Sequence, residues 1–166
     1  MPVEKLIQAL ESDHNREMDR LRDLLSQMEL DADWIAAHMP TPVPPTGYHR
    51  NLLHHGTDFE LVIATWPKGG GTLIHDHGSR NSHGVVRVLT GDIYNHVYHR
   101  DGQTNVAPTV ELTHSAGELI DVTPGLIHAM GNNGEEVGMS LHLYSPMIVN
   151  VSYWDPATLE PYQQSA

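Results

Sequence analysis

The feature that most constrains the fold is a change of hydrophobic period across residues 40–46. Before it, Val3, Leu6, Ile7 and Leu10 recur at helical spacing, as do Met18, Leu21, Leu24, Leu25 and Met28. That spacing predicts two amphipathic helices. A short third helix is expected over Asp33 to Met39, beginning beside capping carboxylates at Asp31 or Asp33 and stopping at Pro40. The segment PTPVPPT, from Pro40 to Thr46, cannot continue a helix and reads as an extended connector.

Beyond the connector the period is two, in runs rich in Val, Ile, Thr and Tyr: YHRNLL, FELVIATW, GVVRVLTG, DIYNHVYHR, TVELTH, ELIDVT, GMSLHLYS and IVNVSYW. Turn signals at Pro67 to Gly71, Gly91-Asp92, Asp101-Gly102, Pro124-Gly125 and Asn132 to Gly134 separate them. Roughly eight short strands at this spacing predict an all-β sandwich or barrel. The length suits one domain over residues 1–166, with N-terminal helices in 1–40 and the barrel in 47–155.

Charge narrows the partners. A net charge of −12 with no local Lys/Arg cluster repels nucleic-acid phosphates and anionic lipid surfaces. The N-terminus MPVEKLIQALESD is too acidic and broken for a secretory signal, and no apolar window is long enough to span a bilayer, so a cytoplasmic location is expected. The absence of cysteine excludes disulfides, thiolate metal sites and a cysteine nucleophile. The 13 histidines are dispersed rather than run together, so at least some need individual reasons.

His75 and His77 flank one residue, so on a strand their imidazoles share a face and can chelate one ion. Asp76 between them should face the other way and stabilise the turn. The wider pattern is Gly69, five residues, His75-Asp-His77, then Gly84, six residues and Gly91; later come Gly117, Thr123-x-Gly125, His128 and Asn132. These stretches resemble the two cupin motifs over roughly residues 48–146. The resemblance implies a double-stranded β-helix, or jelly-roll barrel, in which His75, His77 and His128 converge on one metal. Thr123 stands where the second motif usually has Pro, and Gly84 where many cupins carry a Glu ligand. Three neutral imidazoles would leave the ion's charge uncompensated and about three positions open, unlike a closed structural zinc site, and suit an anionic chelating substrate.

Within the cupins the chain resembles the cysteine dioxygenase, or thiol dioxygenase, family, as an Arg-type, bacterial-like member. Ser140-Leu-His142-Leu-Tyr144-Ser145-Pro146 is similar to the family's C-terminal signature, Tyr48-His-Arg50-Asn51-Leu52 to its substrate-binding strand, and Trp66 falls at a family position. Ser140, His142 and Tyr144 alternate along one strand, so one face presents hydroxyl, imidazole and phenol in a row able to relay hydrogen bonds. The resemblance places the Tyr144 hydroxyl over the reacting atoms. Arg50 matches a carboxylate bidentately, and Arg-bearing members resemble cysteine dioxygenases whereas Gln-bearing ones resemble 3-mercaptopropionate dioxygenases. Tyr48 shares the strand face of Arg50 and would contact the carboxylate or close the pocket. Animal members cross-link a Cys to the active-site Tyr; here Ser82-His83 is followed by Gly84, in a turn two residues longer than the family pattern, so Tyr144 should be unmodified. The remaining histidines show no partner spacing and are expected at the surface or satisfied locally.

The expected activity is therefore that of a non-haem iron(II) thiol dioxygenase adding both atoms of O2 to the sulfur of L-cysteine to give cysteine sulfinate. The alternatives are 3-mercaptopropionate or a related thiol as substrate, and a non-catalytic or isomerase-type metal cupin. The expected partners are a small thiol and O2; the oligomeric state is left open, a monomer being compatible.

Overall fold

The computed structural model describes residues 1–163, so the last three residues of the domain expected over 1–166 lie outside the described part. Helices α1 (Val3–Ser12), α2 (Met18–Ser26) and α3 (Ala32–Ala37) precede strands β1 (His49–Gly56), β2 (Phe59–Trp66), β3 (Ile74–His75), β4 (His83–Thr90) and β5 (Ile93–Asp101). The chain continues through β6 (Asn105–His114), β7 (Leu119–Val122), β8 (Ile127–Asn132), β9 (Gly138–Ser145) and β10 (Tyr153–Trp154). Of the two capping carboxylates, Asp31 starts α3, accepting a 2.8 Å hydrogen bond from Trp34 N.

The strands form two five-stranded antiparallel sheets, ordered β1-β2-β9-β4-β7 and β10-β3-β8-β5-β6. This is the all-β jelly-roll architecture with a helical N-terminal segment. Side-chain alternation divides the first sheet cleanly. Leu61, Ile63, Val85, Leu141 and Leu143 point outward against Leu6, Leu10, Leu21 and Leu25 of the helices. Val86, Val88, Ala64, Trp66 and Tyr144 point inward and meet Ile93 and Met130. The helices thus cover the outer face, which explains why every residue of β2 and β9 is buried. Arg87, also on that face, donates to the carbonyls of Leu25 at 3.1 Å and Met28 at 2.8 Å and so satisfies orphan acceptors at the end of α2. His83 Nε2 lies 2.6 Å from Arg16 O and ties the helical segment to the start of β4.

Three strands, all in the second sheet, depart from the sequence expectation. Ile127 to Asn132 form a full strand that is not among the expected runs, and Ile74–His75 add a short strand at the first histidine. The expected strand over 148–154 shrinks to Tyr153–Trp154. For β8 the physical reason is that it is buried along its whole length, so its apolar residues do not alternate.

Candidate metal centre

Register brings the three histidines together. His75 in β3 lies directly across the ladder from His128 in β8. His77 lies just beyond the end of β3, so the shared strand face expected for the pair applies only to His75. Even so, one nitrogen of each ring lies within 4.8 Å of one nitrogen of the other two, and the ring centroids are 4.8 to 5.2 Å apart.

The outer contacts identify the inward-facing nitrogen. His75 Nδ1 is 2.9 Å from Leu73 O, His77 Nδ1 is 3.1 Å from Leu126 O, and His128 Nδ1 is 2.8 Å from Asn95 Oδ1. Each partner is an oxygen acceptor, so each Nδ1 donates and each Nε2 keeps its lone pair. Nε2 of His77 and of His128 are buried with no hydrogen-bond partner among the described residues. Burial holds all three imidazoles neutral, with His77 pushed down to about 4 and His128 well below its ordinary value. Neutral, preoriented imidazoles with orphaned lone pairs fit a divalent metal, and among the described residues no carboxylate joins the cluster.

Gly84 closes off the position where a fourth ligand would be sought. It pairs with Tyr144 across β4 and β9, and a Cβ added there would meet Leu143 O at 2.0 Å. With no cysteine in the chain, Tyr144 carries no thioether. The longer turn before it packs through Gly78, whose φ of +87° and close approach to Val149 O leave no room for a side chain. Asp76 Oδ1 accepts from Gly78 N and Ser152 N, at 3.1 and 2.9 Å, and fixes the same turn.

Ser140, His142 and Tyr144 form a continuous chain on the inward face of β9. Trp66 Nε1 donates to Ser140 Oγ at 2.8 Å; Ser140 Oγ is 2.7 Å from His142 Nε2, and His142 Nδ1 is 2.8 Å from Tyr144 Oη. His142 is buried and pushed down to about 3, first by burial and then by Arg50, so it carries one N–H. The assignment that uses every donor has Ser140 donating to Nε2 and Nδ1–H donating to Tyr144 Oη. The Tyr144 hydroxyl hydrogen is then free for another acceptor. Burial keeps that phenol well above its ordinary value, so it is a neutral donor.

A cavity of about 600 Å³ connects these groups, lined by His75, His77, His142, Tyr144, Tyr48 and Arg50. Tyr48 stacks on Trp66 with centroids 4.9 Å apart. Arg50 Nη2 donates to Glu60 Oε1 at 2.7 Å. Every expected site residue other than His128 thus lines the cavity or, for Ser140, supports a lining residue; His128 is fully buried beside His75 and His77. Glu60 and Asn95 are site components the sequence did not reveal, since each looks like an ordinary polar residue in a strand.

The family model for cysteine dioxygenase type I matches residues 3–157. The chain is 30% identical to cysteine dioxygenase type 1 of Danio rerio over 117 residues and 31% identical to that of Homo sapiens over 116. Each alignment covers 67% of this chain and 57% of the relative, so the chain spans little more than half the length of the relatives it matches. A solved protein from Klebsiella pneumoniae with a double-stranded β-helix domain is similar at 18% identity and a TM-score of 0.53, over 64% of this chain and 79% of that one. At that identity the likeness concerns the fold alone.

Proposed function

This chain belongs to the cysteine dioxygenase type I family, and on that premise we propose that it is a non-haem iron(II) thiol dioxygenase converting L-cysteine and O2 to cysteine sulfinate. The observation that carries the reading is the set of three inward Nε2 atoms, two of them orphaned and buried, beside a cavity that the Arg50 guanidinium also lines. His75, His77 and His128 would hold the metal. Iron(II) bound there would supply the dioxygen chemistry and favour the thiolate form of the substrate.

The chain's own groups do the rest. Arg50 would present its remaining N–H donors to the substrate carboxylate, and Tyr48 lines the same cavity. Anchoring the carboxylate orients the sulfur and makes the reaction effectively unimolecular. Tyr144, fixed by His142, Ser140 and Trp66, directs one neutral O–H at the reacting atoms. The sulfur supplies all four electrons, so no external reductant is required. The reading takes the chain as one domain acting in the cytoplasm on a small thiol, with neither nucleic acid nor membrane as partner; no described helix is long and apolar enough to cross a membrane.

The test is oxygen uptake by iron-reconstituted protein with cysteine, 3-mercaptopropionate and cysteamine, with the product identified by mass. Cysteine-dependent uptake yielding the sulfinate is expected. Absence of uptake with every thiol refutes the proposal.

A further inference from the structure

The two sheets run in matching order, with β2 joined to β3, β4 to β5, β6 to β7 and β8 to β9 by short connections, so the edge strands β1 and β10 border the same open seam of the barrel. Tyr153 of β10 stands directly across the ladder from His75, which stands across from His128 on its other side. Directly opposed residues share a sheet face, so Tyr153 points inward beside the three imidazoles. Its ring centroid lies 6.4 Å from that of His75, and it lines the cavity together with Arg50 of β1 and Tyr48 just before that strand. Both tyrosines also reach solvent, Tyr48 being 40% exposed and Tyr153 41%. Burial raises the Tyr48 phenol above its ordinary value and the Tyr153 phenol adds to the rise, as expected for hydroxyls that approach each other across the seam. Both residues are braced. Tyr48 stacks on the buried Trp66, while Tyr162 N donates to Tyr153 O at 2.8 Å and the preceding Ser152 N donates to Asp76 Oδ1 at 2.9 Å.

We propose that Tyr153 is a specificity-determining residue which, opposite Tyr48, narrows the mouth of the cavity and turns away thiols extended beyond the carboxyl group that Arg50 would hold. The inference rests on the proposed thiol dioxygenase function and assigns a further residue to that site. The cavity volume of about 600 Å³ falls within the roughly 300–1,000 Å³ that encloses drug-sized ligands, so volume alone does not restrict entry to a thiol of a few heavy atoms. Selection by size therefore falls to the mouth. A thiol with its sulfur at the imidazoles and its carboxyl at Arg50, an edge-strand residue, turns that carboxyl toward the seam, and anything attached there has to pass between the two phenols. A braced ring in that path rejects the extended ligand by steric overlap and leaves the contacts of the unextended one intact.

Tyr153→Ala removes the ring, and Tyr153→Phe removes only the hydroxyl. The dissociation constants of cysteine and of cysteinylglycine, which keeps the thiol and the amine and extends the carboxyl by one residue, are measured by anaerobic calorimetry on iron-loaded wild-type and variant protein. The wild type should bind cysteine more tightly, and Tyr153→Ala should shift the affinity ratio toward cysteinylglycine by roughly tenfold, equivalent to about 1.4 kcal/mol. Tyr153→Phe should keep the wild-type ratio, because the ring is what blocks the path. Tyr153→Leu, with a smaller apolar side chain, should shift the ratio in the same direction as Tyr153→Ala and guards against a folding defect in that variant. An unchanged ratio, including equal weakening of both ligands, overturns the proposal. So does a wild type that binds the two alike, or a shift in Tyr153→Phe as large as in Tyr153→Ala. Aerobic oxygen uptake with cysteine on the same wild-type samples is read separately: binding without uptake refutes the dioxygenase reading, while the affinity ratio still judges Tyr153.

Discussion

Asn95 Oδ1 lies 2.8 Å from Nδ1 of His128, inside the barrel and with both residues buried. The other two imidazoles of the cluster rest on backbone carbonyls, which no substitution can remove. His128 alone owes its tautomer to a side chain. Asn95→Ala should therefore weaken metal binding about 10- to 100-fold, while Asn95→Asp, which keeps an acceptor, should retain most of it. Competition with a chromophoric chelator measures both.

Tyr144→Phe removes the one O–H that the Trp66–Ser140–His142 chain leaves free, and keeps the ring. On the order of a hundredfold loss in kcat is expected, with a smaller change in KM, because the missing donor acts on the reacting atoms. Steady-state oxygen uptake gives both parameters. Ser140→Ala should lower kcat in the same direction but less, since it loosens His142 without removing the donor.

His142 gives the metal-free protein a defined acid sensitivity. Its folded value is about 3 against 6.5 for a free imidazole, so between those values the unfolded chain binds the extra proton and the folded chain does not. Stability is unaffected by this group above pH 6.5 and falls as pH drops below it, by about 1.4 kcal/mol per pH unit for one such histidine, levelling off near the folded value. Urea titrations of metal-free protein from pH 7 to 4 should show a steeper loss in the wild type than in His142→Gln.

Gly84→Ala should destabilise the barrel by about 1–3 kcal/mol, because the new methyl would press on the Leu143 carbonyl and the Tyr144 ring in the centre of a sheet. Chemical denaturation reads the loss directly.

Much of this was legible in the sequence because its signals are local. The helices announce themselves by spacing, His75 and His77 by an interval of two, and the Ser140–Tyr144 row by alternation within one strand. The β8 strand was hidden because Ile127 to Asn132 are buried on both faces and therefore show no alternation. Glu60 and Asn95 were hidden for a different reason: Glu60 finds Arg50 across a hairpin and Asn95 finds His128 across the β5–β8 ladder. Their roles depend on register, which a single strand does not display.

The proposed activity requires that His75, His77 and His128 together hold one iron. The most direct measurement is anaerobic iron loading followed by cysteine-dependent oxygen consumption, compared between wild type and His128→Ala. One iron per chain and sulfinate production are expected in the wild type, and loss of both in the variant. Full iron content and undiminished sulfinate production in His128→Ala would contradict it.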